Sequence, residues 1–280
     1  MVVNGLSVDV EDWFQVGAFE KTIARDDWDG LEHRVEANTD RVLALFDAAG
    51  VHATFFTLGW VAKRYPALIR RIAEAGHEVA SHGWAHQRVF TMEPKQFRAD
   101  LADARAALED ASGAQVTGYR APSFSIDLRT PWAHAELAEA GYRYSSSIAP
   151  IRHDHYGWPE APRRAFRPIA DAGLIELPIT IGRVAGREIT AGGGFFRLLP
   201  NNVTDRAVRT ANAGDTAAIF YFHPWEIDPG QPRVANAPLK SRLRHYARLG
   251  AMAGKLRRLI ATHAWGRMDA IATREAERLQ

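Results

Sequence analysis

The sequence predicts an α/β protein built on a parallel sheet or barrel, and three observations carry that prediction. Short β-branched or aromatic runs recur along the chain, each followed by a helical pattern, the mark of βα units. Polar groups gather where those runs end: Asp9 to Asp12, Thr57, Ser81 to His86, Arg120 to Ser125, Ser145 to Ser147 and His223. In a (β/α) barrel that rim is where loops converge and active sites form. The third observation is size: 280 residues at 46% hydrophobic content supply a sizeable core without staples.

The first strand is LSVDV (6–10), and a helix follows near 38–49, with Asn38 or Thr39 placed to cap it and Gly50 to stop it. HATFFTL (52–58) is the second strand. The next helix, 66–75, has Pro first and Gly just past its end, and HEVASH (77–82) is the third strand. A helix over 94–111 precedes VTGYRAP (116–122), and a helix over 131–140 precedes YRYSSSI (142–148). Residues 149–200 are rich in Pro and Gly. Their strand-like pieces LIELPIT (174–180) and GGFFRLL (193–199) suggest an insertion or β-rich cap. AAIFYFHPWE (217–226) is the last strand, and 238–263 and 268–279 read as helices. The expected organisation is one domain over 1–230, including that insertion, followed by a basic helical extension over 231–280 packed on the barrel.

Composition excludes several classes. The chain has no cysteine, so disulfide frameworks, thiolate nucleophiles, thiolate zinc sites and iron–sulfur clusters are out, and a metal would sit on His, Asp or Glu. Lys and Arg total 35 against 33 Asp and Glu, a net charge of +2 that gives no bulk reason to expect nucleic acid. Met1 to Val10 runs directly into acids and leaves no room for a secretory signal, and no window approaches a membrane span, so a cytoplasmic location is expected.

Two features point to metal chemistry. In Ser81-His82-Gly83-Trp84-Ala85-His86 the two histidines stand four apart, a spacing that on a helical turn lets both imidazoles reach one ion. Asp9, Glu11 and Asp12 follow an apolar run directly, and three carboxylates so close repel one another unless a cation holds them or one stays protonated. A His, His, carboxylate set leaves coordination positions open for water and substrate. Taken singly, each also has an ordinary reading as a surface histidine pair or as acids capping the next helix.

Together with SVDVED (7–12), ATFF (53–56), GHEVASHGWAH (76–86), YRAPSFS (119–125) and FYFHPWE (220–226), the chain resembles the polysaccharide deacetylase family, also called the NodB-homology or carbohydrate esterase family 4 group. SVDVEDWFQVGAFE, GGGFFRLLP (192–200) and FHPWEIDP further resemble the subfamily associated with exosortase and exopolysaccharide gene clusters. The resemblance implies an irregular (β/α)7 barrel. It also implies metal-dependent removal of N-acetyl groups from an amino sugar of an exopolysaccharide or its precursor. His82 and His86 would bind the metal, Zn2+ by resemblance with Co2+ or Ni2+ as alternatives, and Asp9 would be the general base.

For the metal carboxylate, strand alternation puts Asp9 and Glu11 on one face and favours Glu11; Asp12 takes its place if the strand ends or bulges at Val10. Arg120 would hold Asp9 ionised, and His223 would protonate the leaving amine. Tyr119 and the backbone from Pro122 to Phe124 are oxyanion-site candidates. Trp13, Trp84, Phe124 and Trp225 flank the motifs as platforms for a sugar ring or as rim packing. Many family members carry an acid after the fifth strand, where this chain has Tyr144-Ser145-Ser146-Ser147. Asp127 or Glu226 would then partner His223, and Glu226 has Arg120 as another possible mate.

Pro229 through Met268 contain nine Lys or Arg and no Asp or Glu. Such a segment suits a lipid-linked sugar substrate or peripheral contact with an anionic membrane, or is simply a solvated helical face. Two alternatives to sugar deacetylation share the motifs: hydrolysis of a non-sugar amide such as a cyclic imide or ureide, and a carbohydrate-binding protein without turnover.

Overall fold

Alternation along the first strand sets the architecture. In β1 (Asn4–Val10), Leu6, Val8 and Val10 point to one face and Gly5, Ser7 and Asp9 to the other, and every residue is buried. The computed structural model describes residues 2–153 and 156–280. β1 pairs in parallel with β2 (Thr54–Thr57) on one side and with β9 (Ile219–Phe222) on the other. From β2 the sheet runs on through β3 (Glu78–Ser81), β4 (Gly118–Tyr119), β5 (Tyr144–Ser145) and β6 (Ile175–Glu176), all parallel. A backbone hydrogen bond from Thr180 N to the Ile219 carbonyl spans the seam between the chain after β6 and β9. Seven parallel strands thus curve into an irregular α/β barrel, as expected.

The strands separate two apolar layers. The outer one joins Leu6, Val8, Phe55, Val79, Tyr119, Phe220 and Phe222 to the helices, whereas the inner one holds Phe56, Ala80, Tyr144, Ile219 and Tyr221. Gly118 faces inward because the Tyr144 ring fills that space: a Cβ there would lie 2.2 Å from its atoms.

The helices are α1 (Val35–Ala49), α2 (Gly59–Arg64), α3 (Pro66–Glu74), α4 (Pro94–Ser112) and α5 (Ala133–Glu139). α1 begins three residues before the expected 38, and Asn38 and Thr39 lie inside it. Its first amides are held instead by the Asp12 carboxylate, which accepts from Arg34 N at 2.7 Å and Val35 N at 2.9 Å. Strands expected over 116–122 and 142–148 shrink to two residues each, because the chain beyond them leaves the sheet to build the rim.

Within 149–200, β6 belongs to the main sheet, and a separate antiparallel hairpin, β7 (Ile181–Val184) and β8 (Arg187–Thr190), lies outside it. GGFFRLL, expected as a strand, is helical: α6 (Gly193–Leu198) begins where Gly192 and Gly193 press against Tyr221. A short apolar run does not distinguish a buried strand from a buried helical turn. α7 (Asn201–Ala213) returns the chain to β9. The helix expected over 238–263 is two, α8 (Leu239–Tyr246) and α9 (Leu249–Thr262), broken at Arg248 with φ of 58°. β10 (Trp265–Gly266) then pairs with Asn4 and Gly5 of β1, and α10 (Met268–Arg278) seats Met268 and Ile271 in the inner layer.

Candidate active site

Asp9 sits at the C-terminal end of β1 facing the barrel interior, 2% exposed. Its Oδ1 lies 2.6 Å from Arg120 Nη1. Arg120 is fully buried: Nη1 also donates to Ser7 Oγ at 2.7 Å, Nε to the Ser146 carbonyl at 3.1 Å and Nη2 to Ser146 Oγ at 2.9 Å. The guanidinium lies over the Phe56 ring, 4.1 Å from its centroid. Ser146, from the stretch without an acid, therefore fixes the arginine.

Although β1 ends at Val10, Glu11 still turns into the cleft, its amide donating to the Asp9 carbonyl at 3.1 Å. The ligand atoms of Glu11, His82 and His86 all lie within 4.8 Å of one another, and all three residues are buried. His82 leaves β3 with its amide on the Thr57 carbonyl. Its Nδ1 is 2.8 Å from the Arg120 carbonyl, which can only accept, so Nδ1 carries the proton and Nε2 keeps its lone pair.

His82 and His86 do not share a helical turn, contrary to expectation. The segment is a loop in which Gly83 has φ of 73° and His86 φ of 53°. A Cβ at Gly83 would lie 2.8 Å from Asp100 Oδ2, and the same carboxylate accepts from Trp84 N at 3.1 Å. The imidazoles converge through this αL glycine and the Asp100 anchor, with ring centroids 5.4 Å apart.

Glu11 Oε2 lies 2.8 Å from His86 Nε2, yet no hydrogen bond of acceptable geometry satisfies this buried oxygen. Two imidazole nitrogens and an orphaned carboxylate oxygen aimed at one point fit a divalent cation. Burial pushes the Glu11 carboxyl up, but His86, His223 and His82 outweigh it and hold it at about 2. Burial, with His86 adding to it, takes His82 down to about 4 despite Asp9 and Glu11, so it is neutral as a ligand must be.

His223 follows β9. Its Nδ1 donates to Glu226 Oε2 at 3.1 Å, leaving Nε2 directed at Glu11 Oε1, 3.5 Å away, and Asp9 Oδ2, 4.0 Å away. Burial opposes the imidazolium, but Glu11, Glu226 and Asp9 together raise it to about 9. Trp225 stacks on His223 with centroids 5.1 Å apart and donates Nε1–H to Glu11 Oε1 at 3.1 Å.

These groups line a cleft of about 470 Å³, with Phe124, Tyr156, Tyr221 and Trp225 among its apolar walls. Several expected site residues lie elsewhere. Asp12 is turned away, its carboxylate engaged by the amides of Trp13, Arg34 and Val35. Tyr119 points to the outer layer, against Phe97 and Tyr142, because alternation sends Arg120 inward. Pro122 and Trp84 do not line the cleft; Trp84 packs on Gly59 and under Lys63. The Phe124 amide donates to the Ala121 carbonyl, and Ser123 and Phe124 are the residues of that turn that line the cleft. Asp127 is engaged by Arg129, and Glu226 pairs with Arg197 rather than Arg120. Arg197 is the site-supporting residue that sequence reasoning missed.

A parallel α/β barrel with a carboxylate–arginine pair and a His, His, Glu cluster at its C-terminal rim defines an α/β-barrel protein with a candidate hydrolytic metal centre. Residues 25–145 match the polysaccharide deacetylase family, and residues 146–273 match a domain of unknown function, DUF3473. The chain is 28% identical over 149 residues to a peptidoglycan deacetylase of Helicobacter pylori, covering 53% of this chain and 49% of that protein. It is 37% identical over 103 residues to a chitooligosaccharide deacetylase of Sinorhizobium fredii, covering 36% and 48%. The chain spans about half or less of these relatives.

Among solved structures, a protein assigned as a polysaccharide deacetylase from Mycobacterium smegmatis superposes with a TM-score of 0.65 at 22% identity, covering 99% of this chain and 91% of that one. An allantoinase superposes at 0.58 and 16% identity, covering 97% and 89%. Over residues 25–145 the chain carries a polysaccharide deacetylase domain, and its fold is that of the NodB-homology, carbohydrate esterase family 4 barrels.

Proposed function

We propose that this protein is a metal-dependent hydrolase that removes acetyl from an N-acetylated amino sugar, the sugar belonging to an exopolysaccharide or its lipid-linked precursor. The observation that carries the reading is the meeting, in one cleft, of the Asp9–Arg120 pair, the Glu11, His82, His86 cluster and His223. The three cluster residues would hold the cation, Zn2+ by family resemblance. When bound it supplies a Lewis acid and lowers the pKa of water.

The chain's own groups supply the proton transfers. Asp9, oriented by Arg120 at 2.6 Å, accepts a proton from the attacking water. His223, with Nδ1 fixed by Glu226 and Nε2 facing the carboxylates, donates a proton to the departing amine. Phe124 and Tyr156 supply apolar wall to the C–H side of a sugar ring, whereas Trp225, covered on its two faces by His223 and His245, braces the site.

The test is acetate release from N-acetylglucosamine oligomers and from peptidoglycan fragments by zinc-loaded protein, beside allantoin as a ring-opening control. Acetate release that disappears in His82→Ala supports the reading. Release that persists in that variant without bound metal, or ring opening alone, overturns it.

A further inference from the structure

The inner face of α8 is tied to the cleft wall: His245 is buried, stacks on Trp225 at 4.2 Å and bonds Gln231 through Nε2 at 2.6 Å. At 100° per residue, Leu239 and Leu243 fall 40° apart on the side away from His245, with Lys240 and Arg244 along one flank and Arg242 along the other. The two leucines are 67% and 63% exposed, whereas the chain's other leucines of this segment, Leu249, Leu256 and Leu259, are buried. The surrounding stretch from Pro229 to Met268 carries nine cations and no acid. The same helix, with Pro238 just before it, lends Ser241 and Arg244 to the cleft wall.

We propose that α8 is a membrane-surface contact, and this goes beyond the deacetylation reading without depending on it. Leu239 and Leu243 enter the interface of an anionic bilayer, and the flanking cations meet lipid phosphates. The charge pattern selects this occupant: exposed leucines bordered by cations on both flanks match an interfacial helix, and the acid-free sequence around α8 complements an anionic surface. Because α8 walls the cleft, the contact holds the cleft mouth beside the lipid headgroups.

Co-sedimentation of the full chain with vesicles of phosphatidylglycerol and phosphatidylcholine tests it. The protein is expected to pellet at low salt, and to stay in the supernatant at high salt or with phosphatidylcholine alone. Leu239→Ser/Leu243→Ser is expected to weaken the partition roughly tenfold or more at low salt, with an unchanged melting temperature because both side chains face solvent. No pelleting at low salt overturns the proposal. So does binding that survives the leucine replacements, which would mark a general polyanion contact such as nucleic acid. The natural chain has no cysteine, so Leu243→Cys accepts one environment-sensitive dye. Its emission must shift to the blue on anionic vesicles, and an unchanged spectrum also overturns the proposal.

Discussion

Arg197 Nη1 lies 2.5 Å from Glu226 Oε1, and neither side chain is open to solvent. The pair links α6 to the turn after β9, and Arg197 is further held by donation to the carbonyls of Ala247 and Arg244. Arg197→Met leaves Glu226 buried with His223 as its remaining cationic neighbour. Removing one member of a buried pair costs about 3–5 kcal/mol, so urea unfolding should show a loss of that size. If Glu226 orients His223, the surviving folded protein should also show a lower kcat for the proposed reaction with KM little changed.

Asp9→Asn tests the proposed base. An amide cannot accept the water's proton as a carboxylate does, and kcat should fall by about 10²-fold or more. Metal content should be retained, since Asp9 is outside the Glu11, His82, His86 cluster. Metal loss alongside activity loss would place Asp9 among the ligands instead.

Glu11→Gln and Asp12→Asn separate the two carboxylates that the sequence left as alternatives. Metal stoichiometry measured by inductively coupled plasma mass spectrometry should collapse in Glu11→Gln and persist in Asp12→Asn. The second variant should instead lose about 1–2 kcal/mol of stability, because Asp12 holds amides at the start of α1.

Glu78, at the start of β3, sets a pH dependence of stability. Burial, then repulsion from Asp269, push its carboxyl up from 4.5 to about 7, against hydrogen bonds from Thr54, Tyr144 and the Asp269 amide. Between those two values the folded chain binds the proton that the unfolded chain has released, so this group's contribution falls as pH rises through the window. Relative to Glu78→Gln, the natural protein should lose on the order of 2–3 kcal/mol of unfolding free energy between about pH 5 and about pH 8. A parallel pH profile for both proteins would contradict this.

Where sequence signals were local, the fold was readable in advance. α3 and α4 begin at prolines, α4 ends at an αL glycine with φ of 69°, and β1, β2 and β3 read as apolar runs because both faces of a barrel strand are buried. What escaped depended on partners distant in the chain. α6 looks like a strand until Tyr221 is packed against its glycines, and Asp12 looks like a ligand until Arg34 and Val35 arrive to be capped. Arg197 stands within GGGFFRLLP, but no role attached to it there. Its one hint was a lone cation in the apolar run FFRLL, where a buried charge would require a carboxylate.

β1 pairs with strands that begin 44 residues after it ends, at Thr54, and with others near the far end of the chain, at Ile219 and Trp265. During synthesis β1 therefore leaves the ribosome long before β9, its partner on one side. Until β9 emerges, the edge of β1 opposite β2 stays unpaired beside an incomplete apolar layer, a state open to aggregation and to chaperone capture. Because Asp9 and Glu11 extend from this strand, the site's acids reach their final setting only late in the life of the nascent chain.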